Sequence, residues 1–193
     1  EIDEANGVLR LAEDAIRFAP NDSRLSEQAS SNVQKVAGVL GETLPAFTLC
    51  SGASECPQTG EANRVETVFI EGHTDVTGSD DRNWQLSTER AVNTYRQIIE
   101  AAPTLRNLRN GEAREVLSVS GYASTRPVAE GTALVDYDRN RRIDLRFVME
   151  ANDRKRLSEI SRLLGEMNAK IRRLREPPAA DGKGLGLRTD QDG

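Results

Sequence analysis

Residues Val68 to Ala91 read VFIEGHTDVTGSDDRNWQLSTERA, which is a short apolar strand, an acidic polar loop and the first turns of a helix. Thr74 and Asp75 follow the strand, while Asn83, Leu86 and Arg90 have the i, i+3, i+7 spacing of one helical face. A second stripe at helical spacing is predicted to anchor the helix in a core, and it consists of Trp84, Ala91, Tyr95, Ile98 and Ala102. The stretch therefore predicts a strand, loop and helix that present polar side chains to a ligand.

Asp75 and Arg90 are the charges of this unit that matter most for binding. An anionic Asp75 facing a cationic Arg90 across a small cleft suits a ligand that carries an ammonium and a carboxylate. Two plainer interpretations stay open at this point. Asp75 caps the loop, or Arg90 forms an ordinary ion pair on the helix surface.

The composition is that of a soluble globular chain. The 193 residues are 37% hydrophobic and 30% charged, with a net charge of −5, which argues against a nucleic-acid-binding protein. No stretch approaches the 18 or so apolar residues of a membrane span. Because Glu1 is not a start methionine, we expect a fragment or a mature form.

The order of the predicted elements indicates an α+β fold. Strands are predicted at residues 8–12, 65–71, 115–121 and 143–149, and a helix runs from about Leu25 to Leu44 with Ser23 as its N-cap. The second helix ends near Pro103, residues 47–64 form an extended loop, and residues 125–138 are irregular with room for a helical turn. We predict a two-layer α/β sandwich, with helices on one face of a mixed four-stranded sheet, plus a C-terminal helix.

Four segments are predicted along the chain. Residues 1–7 are a linker remnant, 8–150 the folded domain, 151–176 a C-terminal helix and 177–193 a disordered tail. The C-terminal helix carries an apolar stripe at the a/d spacing of a coiled coil, made of Leu157, Ile160, Leu164, Met167, Ile171 and Leu174. We favour a homodimer through this stripe, and packing on the chain's own domain is the alternative.

Enzyme classes find little support. The sequence has no GxSxG elbow, zinc cluster, Walker loop or dinucleotide turn, so we expect no catalytic residue, metal or cofactor. A glycosidase pair of Asp75 and Glu71 is conceivable, but Arg90 would keep Asp75 ionised, which suits binding. His73, the only histidine, is predicted to be structural, and Trp84 is favoured for packing over sugar stacking.

As an ordered set, GHTD, Asn83, LSTERA, GYAS, RP and NRR resemble the OmpA-like domain shared by OmpA, the lipoprotein Pal and the flagellar stator protein MotB. The resemblance covers roughly Val8 to Met149. It implies binding of peptidoglycan without cleavage, with the diaminopimelate of the stem peptide held between Asp75 and Arg90. The implied ligand set is Thr74, Asp75, Asn83, Leu86, Arg90 and Arg141. Residues 140–142 can be interpreted as a solvated charge run, but we predict that Arg141 braces the pocket loop by pairing with Asp75 or with the ligand carboxylate and that Arg142 faces solvent.

The resemblance also implies a location and partners. We expect a periplasmic domain of a protein anchored in the inner membrane, and a MotB-like stator subunit of an ion-driven motor, either flagellar or of the Zorya anti-phage defence type. A membrane motor subunit would be its partner through the preceding segment. The alternatives are a Pal- or OmpA-type link to the outer membrane and a protein-binding adaptor on the same fold. In the periplasm, Cys50 and Cys56 are expected to form a disulfide that closes the loop.

Overall fold

A mixed β-sheet with helices packed on it forms the described part of the chain. The computed structural model describes residues 2–3, 8–10, 16, 18–50, 64–150 and 167. The strands are β1 (Ile2–Asp3), β2 (Val8–Arg10), β3 (Leu49–Cys50), β4 (Val65–Gly72), β5 (Leu108–Arg109), β6 (Leu117–Gly121) and β7 (Ile143–Met149). The α-helices are α1 (Glu27–Thr43), α2 (Asp80–Ala101) and α3 (Leu134–Asn140), and short 3-10 helices span Leu44–Phe47 and Pro103–Asn107.

The order of the strands places one edge of the sheet at the functional site. Five strands run in the order β1, β2, β7, β4, β6, in which only β4 and β6 are parallel, while β3 and β5 form a separate two-stranded ribbon. Gly72 at the end of β4 lies beside Gly121 at the end of β6 and beside Ile143 at the start of β7. The residues that follow β4 and β6 and those that precede β7 therefore meet at the same edge.

Both long helices contribute to one core on one face of the sheet. Ser26 caps α1 by accepting a hydrogen bond from the Ala29 N–H, and Ser79 caps α2 in the same way. The aspartates in the first turn of α2 suit the positive end of the helix dipole. The core contains, from the helices, Ala29, Val33, Ala37, Leu40, Ala91 and Ile98 and, from the sheet, Val65, Val68, Ile70, Leu117, Ile143 and Leu145.

Two strand-end glycines allow α2 to lie unusually close to the sheet. A Cβ atom at Gly72 would stand 2.0 Å from the Ser87 carbonyl oxygen, and one at Gly121 would stand 2.3 Å from the Thr88 hydroxyl. Only glycine leaves room for this contact. The close approach sets the N-terminal half of α2 directly beside the end of β4.

The α+β sandwich is confirmed, and several details of the prediction are wrong. The main sheet has five strands because Ile2–Asp3, within the predicted linker, pairs with β2. Helix α1 begins at Glu27, so its N-cap is Ser26 and not Ser23. Leu49–Cys50, within the predicted loop, is a strand because it pairs with the distant β5, which local sequence does not reveal. The helical turn allowed for in residues 125–138 is the helix α3, which continues to Asn140.

Trp84 is a further correction. The buried side of α2 is centred on Arg90, Ala91 and Ile98, and it turns Trp84 outwards, where 41% of the residue is exposed. The side chain is therefore not part of the core.

The C-terminal part of the chain forms a second unit. Contacts divide the chain into Glu1–Ala151 and Asn152–Gly193. The predicted C-terminal helix, its apolar stripe and the tail lie outside the described residues, apart from a helical, exposed Met167. Cys56 also lies outside them, so the disulfide stays a prediction. Among the described residues, we find no helix with the length and apolar character needed to cross a membrane.

Candidate functional site

A pocket of about 350 Å³ opens where β4 ends and α2 begins. It lies against the turn at Pro20 and Asn21, and Arg141 closes another side. Its remaining lining residues are Thr74, Asp75, Thr77, Gly78, Ser79, Arg82, Asn83, Leu86 and Arg90. The structure thus brings all six sequence-predicted ligand residues to one cavity, and their role in binding stays a prediction.

Asp75 is the buried anion of the pocket. Only 4% of the residue is exposed, and its carboxylate accepts hydrogen bonds from the Thr77 N–H at 2.7 Å and from the Thr77 hydroxyl. The Arg141 Nη1 lies 2.5 Å from its Oδ2. Burial alone would raise the pKa of Asp75, but the Thr77 and Arg141 interactions outweigh it and hold that pKa below the usual range. Asp75 is therefore a carboxylate at neutral pH.

Arg90 is the buried cation and is fixed by main-chain oxygens. It is fully buried on α2, and its Nε, Nη1 and Nη2 donate to the carbonyls of Asp22, His73 and Ala19 at 3.0, 3.2 and 3.0 Å. The guanidinium also lies over the Phe18 ring, 4.8 Å from its centre. A guanidinium has five N–H groups, and these bonds use three of them.

The charge state of Arg90 follows from this burial. Desolvation, and then the positive charge of Arg141, lower the pKa of Arg90 to about 10, while Asp75 and Asp22 oppose the shift. The side chain remains a cation at neutral pH. Asp75 and Arg90 were predicted to face each other, and they do line the same pocket. Their direct contacts differ, because Asp75 pairs with Arg141 while Arg90 donates to main-chain carbonyls. The predicted pairing of Arg141 with Asp75 is present, and its role in bracing the pocket loop stays a prediction.

Thr74 has a hydroxyl with no partner among the described residues. The residue is 4% exposed and lines the pocket, yet its Oγ1 makes no hydrogen bond there. Its N–H donates to the Ala123 carbonyl at 2.9 Å, while the Ala123 N–H donates to the Ser87 hydroxyl at 3.0 Å. Ala123 has a φ of 48°, a strained conformation for an alanine. Thr74 is thus held in place with an unused donor and acceptor.

Asn83 and Leu86 complete the α2 side of the pocket. The Asn83 Nδ2 donates to the Thr77 carbonyl at 3.0 Å, which holds the loop after β4 against the helix. Leu86 is 4% exposed and supplies an apolar wall. Asn83 therefore supports the loop, and Leu86 gives the pocket an apolar surface beside its charged groups.

Sequence reasoning missed the rim formed by Arg82 and Asn21. The Arg82 Nε donates to the Asn21 Oδ1 at 2.7 Å, and Asn21 has a φ of 54°. The i, i+4 spacing of Arg82 and Leu86 was an available signal, but the turn at Asn21 is distant in sequence. With Arg82, Arg90 and Arg141 against Asp75, the pocket lining carries more positive than negative charge. It therefore favours an anionic group in its ligand.

A buried polar network supports the pocket from behind. Arg142 is 8% exposed, and its Nε lies 3.1 Å from both oxygens of Asp144. The prediction that Arg142 faces solvent is wrong, because residues i and i+2 along an extended chain share a face and Asp144 is buried there. The Nε2 of His73 lies 3.4 Å from Asp144, and the His73 ring stacks on Tyr122 at 5.6 Å.

The burial and contacts of His73 agree with the prediction of a structural histidine. It is 1% exposed, and its carbonyl accepts one of the Arg90 bonds. Within the described part of the chain, no group of three or more His, Cys, Asp or Glu residues is placed to hold a metal ion.

Comparisons with known proteins agree with this fold. Residues 53–141 match the model of the OmpA family. The periplasmic domain of Helicobacter pylori MotB is a structural neighbour at a TM-score of 0.53 and 20% identity, over 83% of this chain and 92% of that one. The C-terminal domain of the same protein aligns at 0.50 and 22%, over 79% and 95%.

A third neighbour is the peptidoglycan-associated lipoprotein from Burkholderia pseudomallei, at a TM-score of 0.48 and 19% identity, over 69% of this chain and 88% of that one. No curated protein matches the sequence significantly.

Proposed function

We propose that this chain, which contains an OmpA-like domain, binds peptidoglycan without cleaving it. The observation that carries the proposal is the pocket in which a buried carboxylate, Asp75, and a buried guanidinium, Arg90, line the same cavity. Two buried opposite charges suit a ligand whose end carries both an ammonium and a carboxylate. The diaminopimelate of the peptidoglycan stem peptide has such an end.

Each group in the pocket has a distinct part in this binding. Asp75 accepts from the ligand ammonium, while the two remaining N–H groups of Arg90 and the Thr74 hydroxyl bind the ligand carboxylate. Leu86 packs against the methylene groups between them. Arg141 and Thr77 keep Asp75 ionised, so this carboxylate has no proton to donate as a general acid and is free to accept hydrogen bonds from an ammonium group.

We further propose that the domain is periplasmic and tethers a membrane protein to the cell wall. The likeness to the periplasmic domain of MotB supports this, and a MotB-like stator subunit of an ion-driven motor is the function we favour. Anti-phage defence is one setting for such a motor and flagellar rotation is another. A membrane motor subunit would be the partner of such a protein.

Dimerisation and the disulfide belong to the same proposal. The apolar stripe from Leu157 to Leu174 would pair with its copy in a second chain, and Cys50 would bond to Cys56. Sedimentation of the intact chain and of a chain ending at Ala151 tests the first point. Mass measurement without reductant tests the second.

Co-sedimentation with purified peptidoglycan tests the site. The wild-type protein should pellet with diaminopimelate-type sacculi and not with peptidoglycan that has lysine at this position, because lysine lacks the second carboxylate. Asp75→Asn should reduce binding by about 30-fold or more, since a truncated buried charge pair costs about 2 to 5 kcal/mol.

Asp81→Asn is the matched control. Asp81 is an exposed aspartate in the first turn of α2 that lines neither the pocket nor the outer side of the helix, and the variant should bind like the wild type. Equal pelleting of Asp75→Asn and Asp81→Asn would contradict the proposed site. Equal pelleting of both types of peptidoglycan would contradict the proposed ligand.

A further inference from the structure

Trp84 is the chain's only tryptophan, and it lies on the surface of the helix that forms the pocket. Its residue is 41% exposed, and its indole Nε1–H donates to Asp80 at 3.2 Å, which restrains the ring. Tryptophan is among the side chains for which water contact is most unfavourable. A restrained, exposed indole beside a binding pocket therefore points to a contact with a ligand.

The surroundings of Trp84 define the chemistry of that ligand. An open groove of about 500 Å³ follows the outer side of α2, and it is lined by Trp84, Gln85, Thr88, Glu89, Val92, Asn93 and Arg96. Trp84 and Val92 are the apolar side chains of this groove, and the others carry amide, hydroxyl, carboxylate and guanidinium groups. The groove has no net charge, because Glu89 and Arg96 carry opposite charges. The core of a protein interface is more apolar than this, and a nucleic acid requires a net positive surface.

A sugar ring fits this mixture. The flat C–H face of a pyranose packs on an aromatic ring, while its hydroxyl and amide groups bond to polar side chains around it. We propose that the Trp84 groove binds a sugar of the peptidoglycan glycan strand whose stem peptide occupies the pocket. This inference rests on the proposed function and extends it from the peptide to the glycan.

The spacing of the two sites suits one continuous ligand. Asn83 lines the pocket and Trp84 is the next residue, so the two side chains leave the helix about 100° apart. A helix with its side chains is about 10–12 Å across, and three extended residues span about 10 Å. A short stem peptide in the pocket can therefore deliver its sugar to the outer side of α2.

Binding at both places would favour intact wall over free peptide. A second contact joined to the first by a short linker acts at high effective concentration, so a modest contribution from Trp84 raises the overall affinity. Released stem peptides, which lack the sugar, would compete poorly for the same protein.

Calorimetric titration with two probes tests the inference. The probes are a disaccharide tripeptide that contains diaminopimelate and the same tripeptide without sugars. We expect the wild-type protein to bind the disaccharide tripeptide about tenfold tighter than the tripeptide. In Trp84→Ala the difference should vanish while affinity for the tripeptide stays unchanged. Val39→Ala, which truncates an exposed side chain on α1, is the control and should keep the difference.

The fluorescence of the single tryptophan gives a second readout. The disaccharide tripeptide should shift the emission of Trp84 and protect it from iodide quenching, whereas the tripeptide should do neither. If both probes bind the wild type and Trp84→Ala with the same affinities, the inference is overturned and the peptide site stands. If neither probe binds the wild type, the proposed function itself fails. Dissociation of a wild-type dimer by Trp84→Ala would instead make this groove a contact between copies and would also overturn the inference.

Discussion

A double-mutant cycle on Asp75 and Arg141 tests how the pocket is held together. The side chains are 5% and 11% exposed, and Nη1 and Oδ2 are 2.5 Å apart. A hydrogen bond to a charged group contributes about 1.5 to 3 kcal/mol, whereas an ion pair in water contributes about 0 to 1 kcal/mol. We therefore expect a coupling free energy of about 2 kcal/mol between the two residues.

Each single variant should lower the free energy of unfolding by more than the coupling free energy. Asp75→Asn keeps an oxygen for the Thr77 N–H but leaves Arg141 near Arg90 with Asp138 as its one anionic partner among the described residues. Breaking one side of a buried pair costs about 3 to 5 kcal/mol, and the retained Thr77 bond lowers this to about 2 to 4 kcal/mol. Arg141→Gln should be similar, and the double variant should cost less than the sum of the two.

The assay is urea unfolding of the wild type, both single variants and the double variant at neutral pH. A second cycle on Arg82 and Glu89 serves as the control, because these side chains are 37% and 38% exposed and 3.9 Å apart. Its coupling should stay below about 0.5 kcal/mol. A coupling for Asp75 and Arg141 no larger than the control would refute the idea that Arg141 braces the pocket.

Three further predictions address the ligand, the packing and the pH dependence. Thr74→Val should leave unfolding within about 0.5 kcal/mol of the wild type, because its hydroxyl has no partner in the described structure, yet weaken diaminopimelate binding about three- to tenfold in calorimetry. Thr67→Val, earlier on β4, is its control, and equal affinities would contradict a role for the Thr74 hydroxyl. Gly72→Ala should destabilise the protein by several kcal/mol, because the new Cβ would meet the Ser87 carbonyl. Gly38→Ala, on α1 with open space around it, should stabilise the protein by about 0.5 to 1 kcal/mol. Similar urea midpoints for the two glycine variants would show that α2 does not need this close approach. The lowered pKa of Asp75 means that its stabilising contribution is present above the unfolded-state value near 4 and is lost as the pH falls through the lower folded-state value. Binding measured by calorimetry should therefore stay constant from pH 7 to pH 5, and a loss within that range would refute an ionised, ion-paired Asp75.

Much of the fold can be predicted from the sequence because its signals are local. The apolar stripe of α2 and the alternation of β7 depend on residues a few positions apart, and both elements are where they were predicted. The six predicted pocket residues meet for the same reason, because most of them belong to one strand, loop and helix.

The partners of those residues were decided by the tertiary structure alone. Asp75 pairs with Arg141 and not with Arg90 because the end of β4 lies beside the start of β7 in an antiparallel register. Arg90 instead donates to the carbonyls of Asp22 and Ala19, in the turn before α1, and to the carbonyl of His73. The position of Arg90 on its helix does not reveal any of these three contacts.

The sequence by itself therefore determined the α+β class and the main elements, since helical and strand periods are properties of neighbours in the chain. Its motifs also identified six of the residues that line the pocket. The tertiary structure determined which charge meets which, the burial of Arg142 and the exposure of Trp84. The physical reason is that the periodic pattern of residues along an element indicates which face each side chain occupies. The contacts of that side chain depend on which distant element covers the face.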